Sequence, residues 1–200
     1  EPMARAAEQI GPVPQRRFTV EEYHRMADAG ILHPDERVEL IPGVLQPMSP
    51  KNRAHVVATT RLYQLLVRRR AGRAAVFKED PLKLVELDSE PEPDIVVASG
   101  PDIEVYDTES FEPLLVIEVS ESSLRFDLGA KKSLYAAAGV PEYWVLNLID
   151  RELVVFHTAS EGAYRHRATY REGDRVAPHS WSDISIEVSE LFPRTEAPAP

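Results

Sequence analysis

Pro93-Asp94-Ile95-Val96-Val97, Leu114-Leu115-Val116-Ile117-Glu118-Val119-Ser120 and the run Asp127-Leu-Gly-Ala-Lys131-Lys-Ser-Leu-Tyr135-Ala-Ala-Ala-Gly139-Val-Pro-Glu-Tyr-Trp144 decide the fold. From Leu114 to Val119 both faces of an extended chain are apolar: Leu115, Ile117 and Val119 alternate with Leu114, Val116 and Glu118, which describes an interior strand. A carboxylate in such a strand needs a hydrogen bond, a cation or a metal, because an unpartnered charge in a dry interior costs several kcal/mol or is neutralised by a pKa shift. Asp94 opens the neighbouring apolar run directly after a proline, which blocks strand pairing at that end. If the two strands are neighbours, both acids stand at one end of a sheet. Strand 114–119, helix 127–138 and strand 142–148 form a crossover unit, right-handed if its strands are parallel.

Outward from this centre, the remaining segments read as follows. Residues 1–17 are rich in Ala, Pro and charge without a sustained period, and are expected to be a flexible N-terminal segment. Thr19 and Glu22 make a capping box, with Phe18 and Tyr23 as a hydrophobic staple, so a short helix runs from Val20 to about Gly30. Arg37 to Leu45 is a hairpin turning at Pro42-Gly43, and simple alternation turns Glu39 away from Val38 and Leu40. A helix opens at Ser49-Pro50, shows an apolar face at Val56, Thr59, Leu62, Tyr63 and Leu66, and ends at Gly72. His55 lies at its head, within reach of a site at the sheet end. Residues 75–77, 82–86, 151–156, 164–169 and 184–188 read as further strands, and 99–112 as a polar excursion. A single domain over 18–192, with 193–200 as a flexible tail, is the expected organisation.

The composition bounds the function. An apolar fraction of 43% supports one packed core, and the chain has no cysteine, which removes disulfides and thiolate metal sites. No apolar run approaches the roughly 20 residues of a membrane span, so no membrane partner and a cytoplasmic location are expected. The net charge of −10 runs against phosphate binding, which relies on clustered cations, so local potential decides. One basic cluster, Arg68-Arg69-Arg70 with Arg73, closes the second helix. It fits the dipole of a helix C-terminus, and alternatively a phosphate contact.

Asp94 and Glu118 are the type of pair that holds Mg²⁺ or Mn²⁺, since such cations take one or two carboxylates plus waters and a substrate phosphate. A bound cation lowers the pKa of its water and offsets charge developing on phosphorus. A lysine nearby stabilises the same charge. Lys131 shares a helix face with Leu128, Tyr135 and Ala138, so its stem can be buried with the ammonium turned to the sheet end. Lys132 is its neighbour on the wheel, and a surface pair with Asp127 at i,i+4 is the simpler use of Lys131.

These runs, together with Val38-Glu39-Leu40-Ile41-Pro42-Gly43-Val44-Leu45, resemble the Uma family of restriction endonucleases, of the PD-(D/E)XK phosphodiesterase superfamily. The resemblance covers roughly Phe18 to Phe192. It implies an α/β, restriction-endonuclease-like mixed β-sheet core flanked by helices, and a metal-dependent endonuclease acting on DNA. By position, Asp94 and Glu118 match the two metal-binding acids and Lys131 a lysine moved onto the helix. Ser120 stands where the superfamily's usual lysine would be. Glu39 matches an additional acid that orients water or assists a second metal. Pro42 departs from the family, which often has an acidic residue there. The resemblance also implies a homodimer. Two other functions fit the same residues: a catalytically silent nuclease-like module that binds or regulates, and a hydrolase of RNA or of a smaller phosphodiester.

Overall fold

The computed structural model describes residues 15–69, 72–108 and 111–193. The expected flexible ends, apart from 15–17 and 193, and Arg70 of the basic cluster lie outside these. Helix α1 (Val20–Asp28) starts at the capping box: Thr19 accepts from the Glu22 N–H, and Glu22 in turn accepts from the Thr19 N–H. The hairpin β1 (Val38–Ile41) and β2 (Val44–Pro47) follows. Its turn depends on Gly43, which has φ +75° and whose place a Cβ would fill only 2.6 Å from Arg17. Helix α2 (Arg53–Arg69) begins four residues later than the Ser49 expected, because the Asn52 side chain, accepting from the His55 N–H, is the group that caps it.

Six strands then form one sheet: β3 (Ala74–Lys78), β4 (Ile95–Ser99), β5 (Pro113–Ser120), β6 (Glu142–Asn147), β7 (Glu152–Ser160) and β8 (Ala163–Arg171), in that spatial order. Only β5 and β6 pair in parallel, and the segment between them is the crossover. That segment is helical in three consecutive pieces, Leu124–Phe126, Asp127–Lys131 and Lys132–Ala137, together labelled α3. The middle piece is a π-helical turn, with the Lys132 N–H reaching back to the Asp127 carbonyl. It replaces the uniform α-helix expected over 127–138. Gly139, at φ +75°, ends the helix before Val140 re-enters the core.

Two apolar layers sandwich the sheet, as the two-faced pattern of β5 requires. Leu115, Ile117 and Val119 face Leu62, Leu65 and Leu66 of α2, while Val116 joins Tyr135, Tyr143 and Val145 beneath α3. The short pair β9 (Arg175–Val176) and β10 (Ile186–Glu187) closes the first layer with Phe192. Glu142 is buried for a structural purpose: its two oxygens accept from the Trp144 indole and the His179 N–H, both at 2.6 Å.

Several boundaries differ from expectation. Residues 82–86 form no strand of this sheet; Val85–Leu87 is a single 3-10 turn. The strands β7 and β8 extend to nine residues each, because their outer ends pair with each other beyond the core. The strand expected over 184–188 shrinks to Ile186–Glu187. Among the described residues, no helix is long and apolar enough to cross a membrane.

Candidate active site

The strand register brings the two acids together. Ile95 pairs with Ile117, and continuing that antiparallel register by one residue sets Asp94 level with Glu118. Asp94 Oδ2 accepts from the Val119 N–H at 2.8 Å, so its side chain leans along the end of β5. Both carboxylates are nearly sealed, at 5% and 4% exposure. They line one cavity of about 240 Å³, and Glu39 and Lys131 line it too.

Lys131 lies at the centre. Its ammonium is 3.0 Å from Glu118 Oε1 and 3.0 Å from Glu39 Oε2. The surface pair with Asp127 does not form: the stem is buried, and Asp127 is itself buried, accepting from the Ser120 and Ser123 hydroxyls at 2.6 Å each. Ser120, in the position of the usual lysine, therefore fastens the start of α3 to the end of β5. The π turn follows this link, from Asp127 to Lys131, and such turns are frequent at functional sites. Glu39 does not point outward as alternation suggests; β1 packs over the cavity, and Glu39 Oε2 also accepts from the Glu92 N–H at 3.1 Å.

Three further groups touch these acids, and of them Tyr135 and Lys51 were not legible as site residues. The Tyr135 hydroxyl donates to Glu118 Oε1 at 2.8 Å. Lys51 Nζ lies 3.1 Å from Glu79 and 3.7 Å from Asp94 Oδ1. His55 Nε2 is 3.2 Å from Asp94 Oδ2, with Nδ1 beside the Thr59 hydroxyl, which bears out its reach toward the sheet end. Tyr135 carried a signal in its helical spacing from Lys131. Lys51 carried none, since a loop residue's direction is set by packing alone.

The electrostatics follow from crowding. Burial pushes the Glu118 carboxyl well above its usual range; Lys131 opposes this, and Asp127, Asp94 and Glu39 add to it. Burial likewise raises Asp127, against Lys131 and the two serine hydrogen bonds. Burial alone would lower Lys131, but Glu118 and Glu39 overcome it and hold the ammonium above the ordinary lysine value. Burial, then Glu118, raise the Tyr135 phenol, so it remains a donor.

Six carboxylates thus line the hollow, four of them buried (Glu39, Asp94, Glu118 and Asp127), with Lys131 as the one cation buried among them and Lys51 at its edge, so acids outnumber cations there. Glu118 Oε2 accepts no hydrogen bond among the described residues and is not sealed from solvent. Among the described residues, no three His, Asp or Glu side chains are arranged to enclose a metal ion. A hard cation such as Mg²⁺ needs fewer, one or two carboxylates with waters completing its shell. An all-oxygen pair with excess negative charge and one open carboxylate oxygen fits such an ion.

Comparison with known proteins agrees with this architecture. A search of curated proteins returns no match. The fold is similar to the crystal structure of "a putative nuclease belonging to DUF820" from Anabaena variabilis ATCC 29413, at a TM-score of 0.67 and 15% sequence identity, covering 88% of this chain and 97% of the other. The family model Uma2, described as "Putative restriction endonuclease", matches residues 20–189, the span that contains the hairpin acid, both strand acids and the helix lysine, and the chain belongs to that family.

Proposed function

We propose that this protein is a divalent-metal-dependent endonuclease that hydrolyses DNA phosphodiester bonds. The observation that carries the reading is the meeting of Glu39, Asp94, Glu118 and Lys131 in one small cavity at the end of the sheet. Asp94 and Glu118 would hold Mg²⁺ or Mn²⁺. When bound, the ion supplies Lewis-acid polarisation of the phosphoryl oxygens and a water of lowered pKa.

The chain's own residues do the rest. Lys131 stays protonated between its two carboxylates, so it acts as a fixed positive charge and not as a base. Its N–H groups offset the charge that builds on the non-bridging oxygens as water adds to phosphorus and the bond to the leaving oxygen breaks. Tyr135 fixes Glu118 Oε1, leaving Oε2 turned to the hollow. Glu39, anchored by the Glu92 N–H, holds Lys131 from the other side and presents an acceptor for water. Lys51 and His55 brace Asp94.

Calorimetric titration with Mn²⁺ tests the metal assignment apart from turnover. Wild type should bind the ion, and Asp94→Asn should lose at least tenfold in affinity, the smaller end of what metal-site substitutions cost. Equal affinities would remove the assignment and favour a silent module. A panel of duplex DNA, RNA and a small phosphodiester then separates the substrate classes.

A further inference from the structure

Lys131 and Lys132 are neighbours in sequence with different destinations. Lys131 enters the acid-lined hollow. The next residue of a helix is turned by about 100° around its axis, and Lys132, only partly buried, meets strands β7 and β8 instead. There it lines a second cavity, of about 210 Å³, between α3 and the outer end of the β7–β8 hairpin. Phe156 of β7 and Tyr164, Arg165 and Arg167 of β8 line it too, and no Asp or Glu does. It shares no lining residue with the acid-lined hollow.

The charge in this second cavity is only partly answered by the fold. Arg165 pairs with Glu161 of the same hairpin. Lys132 and Arg167 have neither an ion pair nor a hydrogen bond among the described residues. Both lie over the Phe156 ring, with the Lys132 ammonium 5.7 Å and the Arg167 guanidinium carbon 5.9 Å from its centroid. Two positive charges therefore meet at one aromatic ring, whose π face attracts each of them weakly while they repel one another.

Tyr164 supplies an independent sign. Among the described residues its hydroxyl is the one buried side-chain polar atom without a hydrogen-bond partner. Buried polar groups are almost always satisfied, so such an exception calls for a partner from outside the chain. Alternation along β8 would put Tyr164 and Arg167 on opposite faces. They share a cavity because the hairpin turns over at Thr158, whose φ of +63° is an outlier for a β-branched residue. The Thr158 N–H goes to the Pro141 carbonyl at 3.0 Å, and the ladder pairs His157 with His166 and Ala159 with Tyr164 but leaves Thr158 and Arg165 unpaired. Tyr164 then stacks on Tyr143 in the layer beneath α3, ring centroids 6.3 Å apart.

We propose that this cavity is a binding site for a phosphate group, held by the Lys132 ammonium and the Arg167 fork with Tyr164 as a further donor. Guanidinium matches the paired oxygens of phosphate, and bonds between ionised partners are the strong ones. A doubly charged oxyanion answers both cations, whereas a carboxylate would leave one of them unanswered. The group arrives either as free phosphate or on a nucleoside monophosphate, since both present the same dianion. This inference does not depend on the nuclease reading.

The test is calorimetric titration of the metal-free protein with inorganic phosphate, at low ionic strength and mildly alkaline pH. Wild type should bind. Lys132→Gln and Arg167→Gln, which remove one charge each at nearly constant size, should each weaken binding about tenfold or more. Tyr164→Phe should weaken it by a smaller factor. Arg171→Gln, on the same strand but paired with Glu152, is the control and should leave affinity unchanged. Amide NMR of wild type gives a readout that needs no variant: phosphate should shift Ser133, Gly162 and Ala163, which line the cavity. A nucleoside 5′-monophosphate that binds tighter than phosphate names a nucleotide as the source, and equal affinity names free phosphate. No binding by wild type, shifts confined to other residues, equal affinity in wild type and both charge variants, an equal loss in Arg171→Gln, or acetate binding as tightly as phosphate would each overturn the site.

Discussion

Lys131 Nζ and Glu118 Oε1 lie 3.0 Å apart with both side chains buried, joined across the gap between α3 and the centre of the sheet. The same ammonium is equally close to Glu39 on a separate hairpin. One cation therefore ties three elements together, and its removal strands two carboxylates.

Replacing Lys131 by Met keeps most of the volume and deletes the charge. Breaking a buried pair from one side costs about 3–5 kcal/mol, because the abandoned partners remain desolvated. The expected result is a fall of that order in urea-unfolding free energy at neutral pH, with loss of nuclease activity. Part of the loss should return in acid as Glu118 takes up a proton. A variant as stable as wild type at pH 7 would mean that the ammonium does not hold the acids.

Glu118 predicts a pH dependence of definite sign. Its carboxyl is raised by burial first, so the folded state binds its proton more tightly than the unfolded chain. This group's contribution to stability is therefore full below the ordinary glutamate value and is lost as pH rises through the raised one. Glu118→Gln, locked in the neutral form, should be more stable than wild type at pH 8, with the difference vanishing near pH 4. Thermal melts across that range decide it; a variant less stable at pH 8 would reverse the sign.

Tyr135→Phe removes the donor to Glu118 Oε1 without changing the ring. A hydrogen bond to a charged group contributes about 1.5–3 kcal/mol, so stability should drop within that range. Cleavage should fall with it, since Glu118 is then free to turn. Unfolding titrations and rates on one DNA substrate give both readouts, and an unchanged rate would show that Tyr135 supports packing only.

Ser120→Ala tests the link between β5 and α3. Losing the 2.6 Å bond to Asp127 leaves a buried carboxylate with one hydroxyl where it had two. A cost of about 1–3 kcal/mol is expected from such an unsatisfied group. Hydrogen exchange at the Lys132 amide, which closes the π turn, should quicken. Unaltered exchange would mean that Ser120 does not fasten the turn.

Much of the centre was legible because local chemistry determined it. An acid within Leu114–Val119 had to be buried, and the helical spacing of Lys131 and Tyr135 had to put both against one face of the sheet. Glu39 was less legible. Alternation describes a strand with one wet face, whereas β1 is covered on both, a fact set by residues some 50 positions away. Asp127 misled for a similar reason: i,i+4 spacing from Lys131 suggests a surface pair, and only the hydroxyls of Ser120 and Ser123 make its burial tolerable. The π turn left no mark in the spacing, and the 3-10 turn at Val85–Leu87 occupies an apolar run that reads equally well as a strand. The resemblance of the quoted motifs to the Uma family, in contrast, covered the span that the family model matches.

The central claim is that Asp94, Glu118 and Lys131 together cut DNA with a divalent ion, and nicking of supercoiled plasmid tests it most directly. Wild type and Asp94→Ala, shown by circular dichroism to be equally folded, are incubated with plasmid and Mg²⁺ or Mn²⁺. We expect wild type to convert supercoiled DNA to open-circular and linear forms only when the ion is present, and Asp94→Ala to be slower by a factor on the order of 10³. Equal nicking by the two proteins, or none by wild type with either ion, would contradict the account.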